Sequence, residues 1–195
     1  MASVIDICNL ALSHIGKFPI NSLEDKTKEA QECRLLYPRA RESTLRDHDW
    51  NFATKRLTMA LIDQEYPGWK YVYQYPTDCI RAMKIYNPAS RVDEIEYEIG
   101  VNNTLSGRVI LTDYPNAVLI YVASVTDPNV FDAMFTDALS YRLAADLALP
   151  LRGEAQIQSS MVQNYMMIMG RTRAQNSNEK FHEPTDDSSF LGARA

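Results

Sequence analysis

The chain has 195 residues, 46% of them hydrophobic and 23% charged, which is the usage of an ordinary globular protein rather than a disordered one. A net charge of −5 argues against a dedicated nucleic-acid binder, since phosphate neutralisation needs a basic face. The three cysteines, Cys8, Cys33 and Cys79, form no C-x-x-C pair, so neither a disulfide framework nor a zinc site is expected and a reducing compartment is the natural reading. The N-terminus lacks a secretory pattern and no apolar run approaches a transmembrane span, so a cytosolic, soluble protein is expected, with no membrane partner.

Residues 1–56 read as helical. Ser3 and Asp6 have capping-box spacing, and Val4, Cys8, Leu12 and Ile15 recur at three and four residues on one stripe. Gly16 is placed to end this helix, with Pro19 blocking continuation. Ser22 and Asp25 repeat the start pattern, which predicts a second helix from about Glu24 to Asp47. Its stripe is Ala30, Cys33, Tyr37, Ala40 and Leu45, and Pro38 is expected to kink it. Trp50 and Phe52 follow as large anchors.

Between residues 57 and 126 the period changes to that of strands. Alternation and β-branched or aromatic residues mark Trp69–Tyr75, Cys79–Tyr86, Glu94–Ile99 and Val109–Thr112, with a longer apolar run from Ala117 to Val125. Turn residues at Pro67-Gly68, Asn87-Pro88, Gly100–Asn103 and Pro115-Asn116 separate them. Helical spacing returns from Asp127-Pro128, a good helix start, to about residue 173. Phe131, Met134, Phe135, Ala138, Leu139 and Ala145 form one buried face, Pro150 and Gly153 break the run, and a fourth helix carries Ile157, Met161, Tyr165 and Ile168 to Gly170. Residues 174–195 are polar, yet they include Phe190 and Leu191 near the terminus, the composition of a segment that docks on a partner.

These readings add up to an α+β fold. Helices from 1–56 and 127–173 form a four-helix core, an antiparallel β domain (57–126, a small sandwich or open barrel) is inserted, and an extended tail (174–195) follows. No cofactor or metal motif is present: H-E-x-x-H, G-x-S-x-G, the P-loop and G-x-G-x-x-G are all missing from the sequence. His14, His48 and His182 have no nucleophile placed for them, so no catalytic residue is assigned. The one cluster with enzymatic potential is Glu94, Glu96 and Glu98, which would share a strand face. Opposed carboxylates are the hardware of glycoside hydrolysis, so a glycoside or cell-wall hydrolase is the alternative reading. The acids interleave with Ile95, Tyr97 and Ile99, which is also the pattern of a half-solvated strand.

Several segments in order resemble the tail tubular protein A family of tailed bacteriophages, the head-to-tail adaptors or gatekeepers. These are Val4-Ile5-Asp6-Ile7-Cys8-Asn9-Leu10-Ala11-Leu12 with Ile15-Gly16; Leu36-Tyr37-Pro38-Arg39-Ala40-Arg41-Glu42 running on to Trp50-Asn51-Phe52-Ala53; Tyr75-Pro76-Thr77-Asp78-Cys79-Ile80-Arg81; and Val125-Thr126-Asp127-Pro128 with Leu143-Ala144-Ala145-Asp146-Leu147-Ala148. The resemblance implies a structural virion protein of the tail or neck, assembled in the host cytoplasm. It would form a ring, typically of twelve copies, under the portal protein, extend the DNA channel and offer a platform for the next tail component. It also implies a portal-docking role for Phe190, Leu191, Gly192 and Arg194. A closed ring needs two complementary faces on each subunit. The candidate inter-subunit face is the charged second helix with its lead-in: Glu24, Lys28, Glu29, Arg39, Arg41 and Arg46.

Overall fold

Ser3 opens helix α1 (Val4–His14) by a reciprocal cap. Its hydroxyl accepts from the Asp6 N–H at 3.1 Å, and the Asp6 carboxylate accepts from the Ser3 N–H at 2.8 Å. The Ser3 N–H, and then the Ser3 hydroxyl donating at 2.9 Å, hold the Asp6 carboxyl below its ordinary range. The helix closes in a Schellman motif: Gly16, at φ +64°, donates to the Ser13 carbonyl, and Lys17 to that of Leu12. The computed structural model describes residues 3–90, 93–102 and 107–179. It is a mixed helix-and-sheet fold of the α+β kind, with two three-stranded antiparallel sheets.

Helix α2 (Lys28–Arg46) starts at Thr27, whose hydroxyl accepts from the Ala30 N–H, four residues later than the sequence pattern predicts. The earlier Ser22–Asp25 pair closes a turn instead. Asp25 accepts from the Asn21 and Ser22 N–H groups at 3.1 Å each, and the Glu24 N–H donates to the Ser22 hydroxyl. Short polar side chains satisfy local backbone donors in a turn as readily as at a helix start, so the pattern alone does not fix the boundary. Asn9 pins this loop to α1 by two bonds to the Ile20 backbone. The helix runs through Pro38 without interruption, because the proline sits on the exposed side and forfeits a single bond.

Strand β1 (Thr54–Thr58) begins where the helical half was expected to continue to residue 56. It is mostly exposed, so it lacks the apolar alternation that would announce it. It is followed by β2 (Tyr71–Gln74), β3 (Cys79–Ile85), β4 (Glu98–Val101), β5 (Arg108–Thr112) and β6 (Val118–Ala123). The strand orders are β1-β6-β3 and β2-β5-β4, antiparallel throughout. Leu119 and Tyr121 of β6 pack with Tyr73, Ile85 and Ile110 between the sheets, while Val122 points the other way into the helical core. Successive strand residues face opposite ways, so β6 is buried on both faces, which explains the unbroken apolar run seen there in the sequence. The first sheet thus lies between the helices and the second sheet.

Asp127-Pro128 opens a 3₁₀ turn (Pro128–Val130), not the long helix. Helix α3 (Ala133–Arg152) is capped by Asp132, which accepts from the Phe135 N–H at 2.6 Å. It continues through Pro150 and stops at Gly153, at φ +71°, correcting the expected break at the proline. Helix α4 (Ala155–Glu179) returns along α3 after two residues, as an antiparallel hairpin. It passes Gly170, which stays right-handed, and overruns the expected start of the tail at 174. Polarity alone does not stop a helix, and there is no proline between 151 and 183. Asp132→Ala should cost about 1 kcal/mol through the lost cap, read by urea unfolding.

One buried cluster draws on all four helices: Ile7, Leu12, Cys33, Leu45, Phe135, Leu139, Leu143, Leu147 and Tyr165 are among its members. Cys8 and Cys33 meet in it as hydrogen-bonded thiols, and that bond together with burial pushes the Cys8 thiol up. All three cysteines are buried and free, so a thiol reagent should leave the native protein unmodified. At the other end, Trp50 donates from Nε1 to the Thr44 carbonyl at 2.9 Å and meets Phe135 edge-on at 5.0 Å. Phe52 and Phe131 complete this aromatic cluster.

Candidate docking and subunit-contact surfaces

Helices α2, α3 and α4 are tied together by a polar network. Tyr165 on α4 donates to Asp47, just past α2, at 2.6 Å. Arg142 on α3 lies 4.0 Å from Asp47 and 3.9 Å from Asp146, and its guanidinium sits over the Tyr165 ring. Burial, then the Asp47 bond, pushes the Tyr165 hydroxyl well up; burial likewise raises the Asp146 carboxyl against the pull of Arg142 and Arg39. A second clamp joins α2 to the first sheet. Arg46 donates to the Ile80 carbonyl at 3.0 Å, Arg81 returns a bond to the Arg46 carbonyl at 3.1 Å, and Arg81 also pairs with Asp49. These groups fix one element against another.

His14 and Ser140 meet at 3.1 Å, a contact that the sequence does not announce because 126 positions separate them. The arrangement is the wrong way round for nucleophilic catalysis. Ser140 is buried and donates its proton to the Asp137 carbonyl at 2.8 Å, so His14 is the donor to Ser140 rather than its base. The imidazole also stacks on Tyr141 at 4.0 Å. Burial lowers the His14 pKa, against the opposing influence of Asp137. The unfolded chain therefore takes up this proton first. The contribution of neutral His14 is complete above the ordinary value of about 6.5 and declines as pH falls through it towards the folded value. An NMR titration should place the His14 midpoint below 6.5, and a midpoint at or above that value would contradict the assignment.

Glu94, Glu96 and Glu98 do not line a single strand. Ile95 forms an isolated bridge to Ile85 on the first sheet, whereas Glu98 already belongs to β4 on the second. The segment is a crossing between sheets, with all three acids exposed. Trp69 donates to Glu98 at 3.2 Å, the Glu96 carbonyl accepts from Thr112, and Tyr97 donates to the Met83 carbonyl. Among the described residues no three acidic, histidine or cysteine side chains cluster as a metal site, and no helix is long and apolar enough to cross a membrane.

The six charged residues of the candidate subunit face separate into three groups. Lys28, Arg39 and Arg46 are exposed and fall, with Leu35, on one stripe of α2 at spacings of seven, four and seven. Lys28 reaches the Pro150 carbonyl at the end of α3. Glu24 lies in the turn before the helix and pairs with Arg34 at 3.2 Å; Glu29 is half-buried and pairs with Lys17 at 3.8 Å. The Arg41 side chain is only 12% exposed, beside Tyr37, whose hydroxyl burial pushes up to about 12. The portal-docking residues Phe190, Leu191, Gly192 and Arg194 lie outside the described residues.

Three apolar features emerge from the fold. Phe18 is 86% exposed after α1, and Leu35 is 70% exposed on the α2 stripe. The third is a groove of about 640 Å³ between α3 and α4, floored by Met134, Tyr141, Met167 and Ile168 and flanked by Asp137 and Arg171. Pattern reasoning assigns apolar residues at helical spacing to a core, and only the fold reveals which remain uncovered. No family model matches the chain, and no curated protein matches it in sequence.

Proposed function

We propose that the protein is a head-to-tail adaptor that acts by binding. Copies of it dock as a ring under a phage portal, extend the DNA channel and carry the next tail component. In this reading the helices of the two chain halves form the adaptor body, the β half is an insertion, and the segment after α4 is the arm that reaches the portal. The observation that carries the proposal is the order and spacing of the resembling segments, from Val4-Ile5-Asp6 to Leu143-Ala144-Ala145-Asp146.

Physical features support it. The outer stripe of α2 combines Leu35 with Lys28, Arg39 and Arg46, and an apolar side chain rimmed by charges is a suitable half of a heterologous contact. Phe18 and the exposed α4 methionines provide further apolar surface away from that stripe. The net charge of −5 suits a wall that DNA passes without being gripped. The His14–Ser140 pair, the nearest approach to a nucleophile and base, is committed to packing.

The test is co-sedimentation of the purified protein with the portal ring of its own phage. Stoichiometric capture is expected, ring upon ring, with no polysaccharide-cleaving activity. Absence of capture at micromolar protein would overturn the proposal and direct attention to Glu94, Glu96 and Glu98.

A further inference from the structure

Each sheet keeps an open edge strand. β1 pairs with β6 alone, and β4 with β5 alone. The Met59 N–H donates to the Ala117 carbonyl in register with β1, so Leu57 and Lys55, at alternate positions before it, bond to β6. The main-chain groups of Arg56 and Thr58 therefore point outward. The Asn102 N–H donates to the Gly107 carbonyl, so by the same alternation Gly100 and Glu98 bond to β5, and Ile99 and Val101 point outward. Among the described residues no hydrogen bond reaches these outward groups. Leu57, Ile99 and Val101 are 43%, 45% and 47% exposed, an apolar content that an unpaired edge ordinarily avoids.

The two edges carry opposite charge. β1 bears Lys55 and Arg56; β4 bears Glu98, with Glu94 and Glu96 just ahead of it. Two copies of β1, or two of β4, would set like charges side by side, whereas β1 against β4 sets opposite ones. Direction agrees as well. β1 and β3 are both antiparallel to β6, and the Ile85–Ile95 bridge sets the chain entering β4 antiparallel to β3. The Leu61–Tyr73 bridge places the continuation of β1 beside β2, so β4 is the far edge of the second sheet. β4 thus runs against β1 on the opposite side of the sheet pair. A second copy shifted sideways, with the small rotation of a many-membered ring, presents its β4 antiparallel to β1. Such a shift also exchanges the faces of the joined sheets, and main-chain bonding requires that exchange. Opposed residues share a face; Arg56, opposite Ile120, faces away from the second sheet, whereas Ile99, opposite Ile110, faces the first.

Two registers satisfy the outward groups, with Arg56 opposite Ile99 or opposite Val101. In the first, Leu57 stands opposite Glu98, and Lys55 is the diagonal neighbour of that carboxylate, within reach of a long side chain. In the second, Glu98 moves opposite Met59, about 13 Å along the strand from Lys55. We propose that β1 of one copy pairs antiparallel with β4 of the next, Arg56 opposite Ile99 and Lys55 beside Glu98. Resting on the adaptor reading, this joins the ring by sheet continuation through the β half. Main-chain bonds hold the copies together, and the charges choose the partner edge and the register.

The experiment mixes full-length copies carrying Arg56→Cys with copies carrying Ile99→Cys, oxidises them with and without the portal ring, and reads disulfide-linked dimers; the native thiols are buried. Opposed residues that exchange bonds have Cα atoms about 5.5 Å apart, within disulfide range. Linked dimers are expected from the mixture and not from either variant alone. Adding Glu98→Lys to both copies should lower the yield about fivefold, and adding Lys55→Glu as well should restore it. No links from the mixture in either condition would overturn the proposal, as would links that form as readily within one variant, or a yield indifferent to Glu98→Lys. Portal capture without links would leave the adaptor standing and remove only the strand pairing. Links without capture would leave the pairing standing and remove the adaptor.

Discussion

Phe135→Ala is expected to lower the unfolding free energy by about 3–5 kcal/mol, the range for deleting a fully buried aromatic side chain. Phe135 has no exposed surface and meets Trp50, Phe52 and Phe131 at ring separations of 5.0, 5.1 and 4.7 Å. Trp50 and Phe52 precede β1, and Phe131 follows β6, so this cluster grips the chain both where it enters and where it leaves the β half. The cavity left by alanine lies between elements that the backbone cannot bring together without moving the first sheet. Against a typical total of about 5–15 kcal/mol, such a loss removes a large share of stability. Phe135→Leu keeps most of the volume and should cost less than about 1.5 kcal/mol. Phe18→Ala, at an exposed position, should change stability by less than about 0.5 kcal/mol in the free protein. Urea unfolding of the three variants side by side provides the check. A Phe135→Ala loss below about 1 kcal/mol would mean that the join between the halves is held elsewhere.

What the sequence could convey depended on how local the determinant was. The α1 cap and its glycine stop are each set by residues within six positions, and sequence spacing alone places both. The start of α2 does not follow from spacing, because the Ser22–Asp25 bonds are equally local and equally satisfied in a turn. β1 carries no apolar alternation because Lys55, Arg56 and Leu57 lie on an exposed edge, and β4 starts later than the alternation from Glu94 because the segment before it crosses between two sheets that no local pattern distinguishes. For the candidate surfaces, the stripe of Lys28, Arg39 and Arg46 follows from helical spacing. The inward turn of Arg41 does not, since it depends on what packs beside Tyr37. The α3–α4 groove was illegible for the same reason: Met134 and Met167 lie 33 positions apart, and only the hairpin at Gly153-Glu154 makes them neighbours.

Ending the chain at Glu179 is expected to abolish portal capture while leaving the body folded. Every member of the main buried cluster lies at or before Met169, so the truncation removes none of its packing. Helix content by circular dichroism should therefore be retained. If Phe190 and Leu191 are the anchors, Phe190→Ala and Leu191→Ala in the full chain should each weaken capture by about 1–3 kcal/mol, or roughly 5- to 150-fold in Kd. Gly192→Ala and Arg194→Ala should have smaller effects, because neither removes a large apolar contact. The comparison separates two roles for the segment. An arm that carries the binding energy loses capture in steps as its anchors are removed; an arm that merely guides the ring into place loses rate but keeps equilibrium affinity. Equilibrium sedimentation of the truncated chain at full affinity would remove residues 180–195 from the docking mechanism and shift it to the body, where the stripe of Lys28, Leu35, Arg39 and Arg46 would be the first surface to substitute.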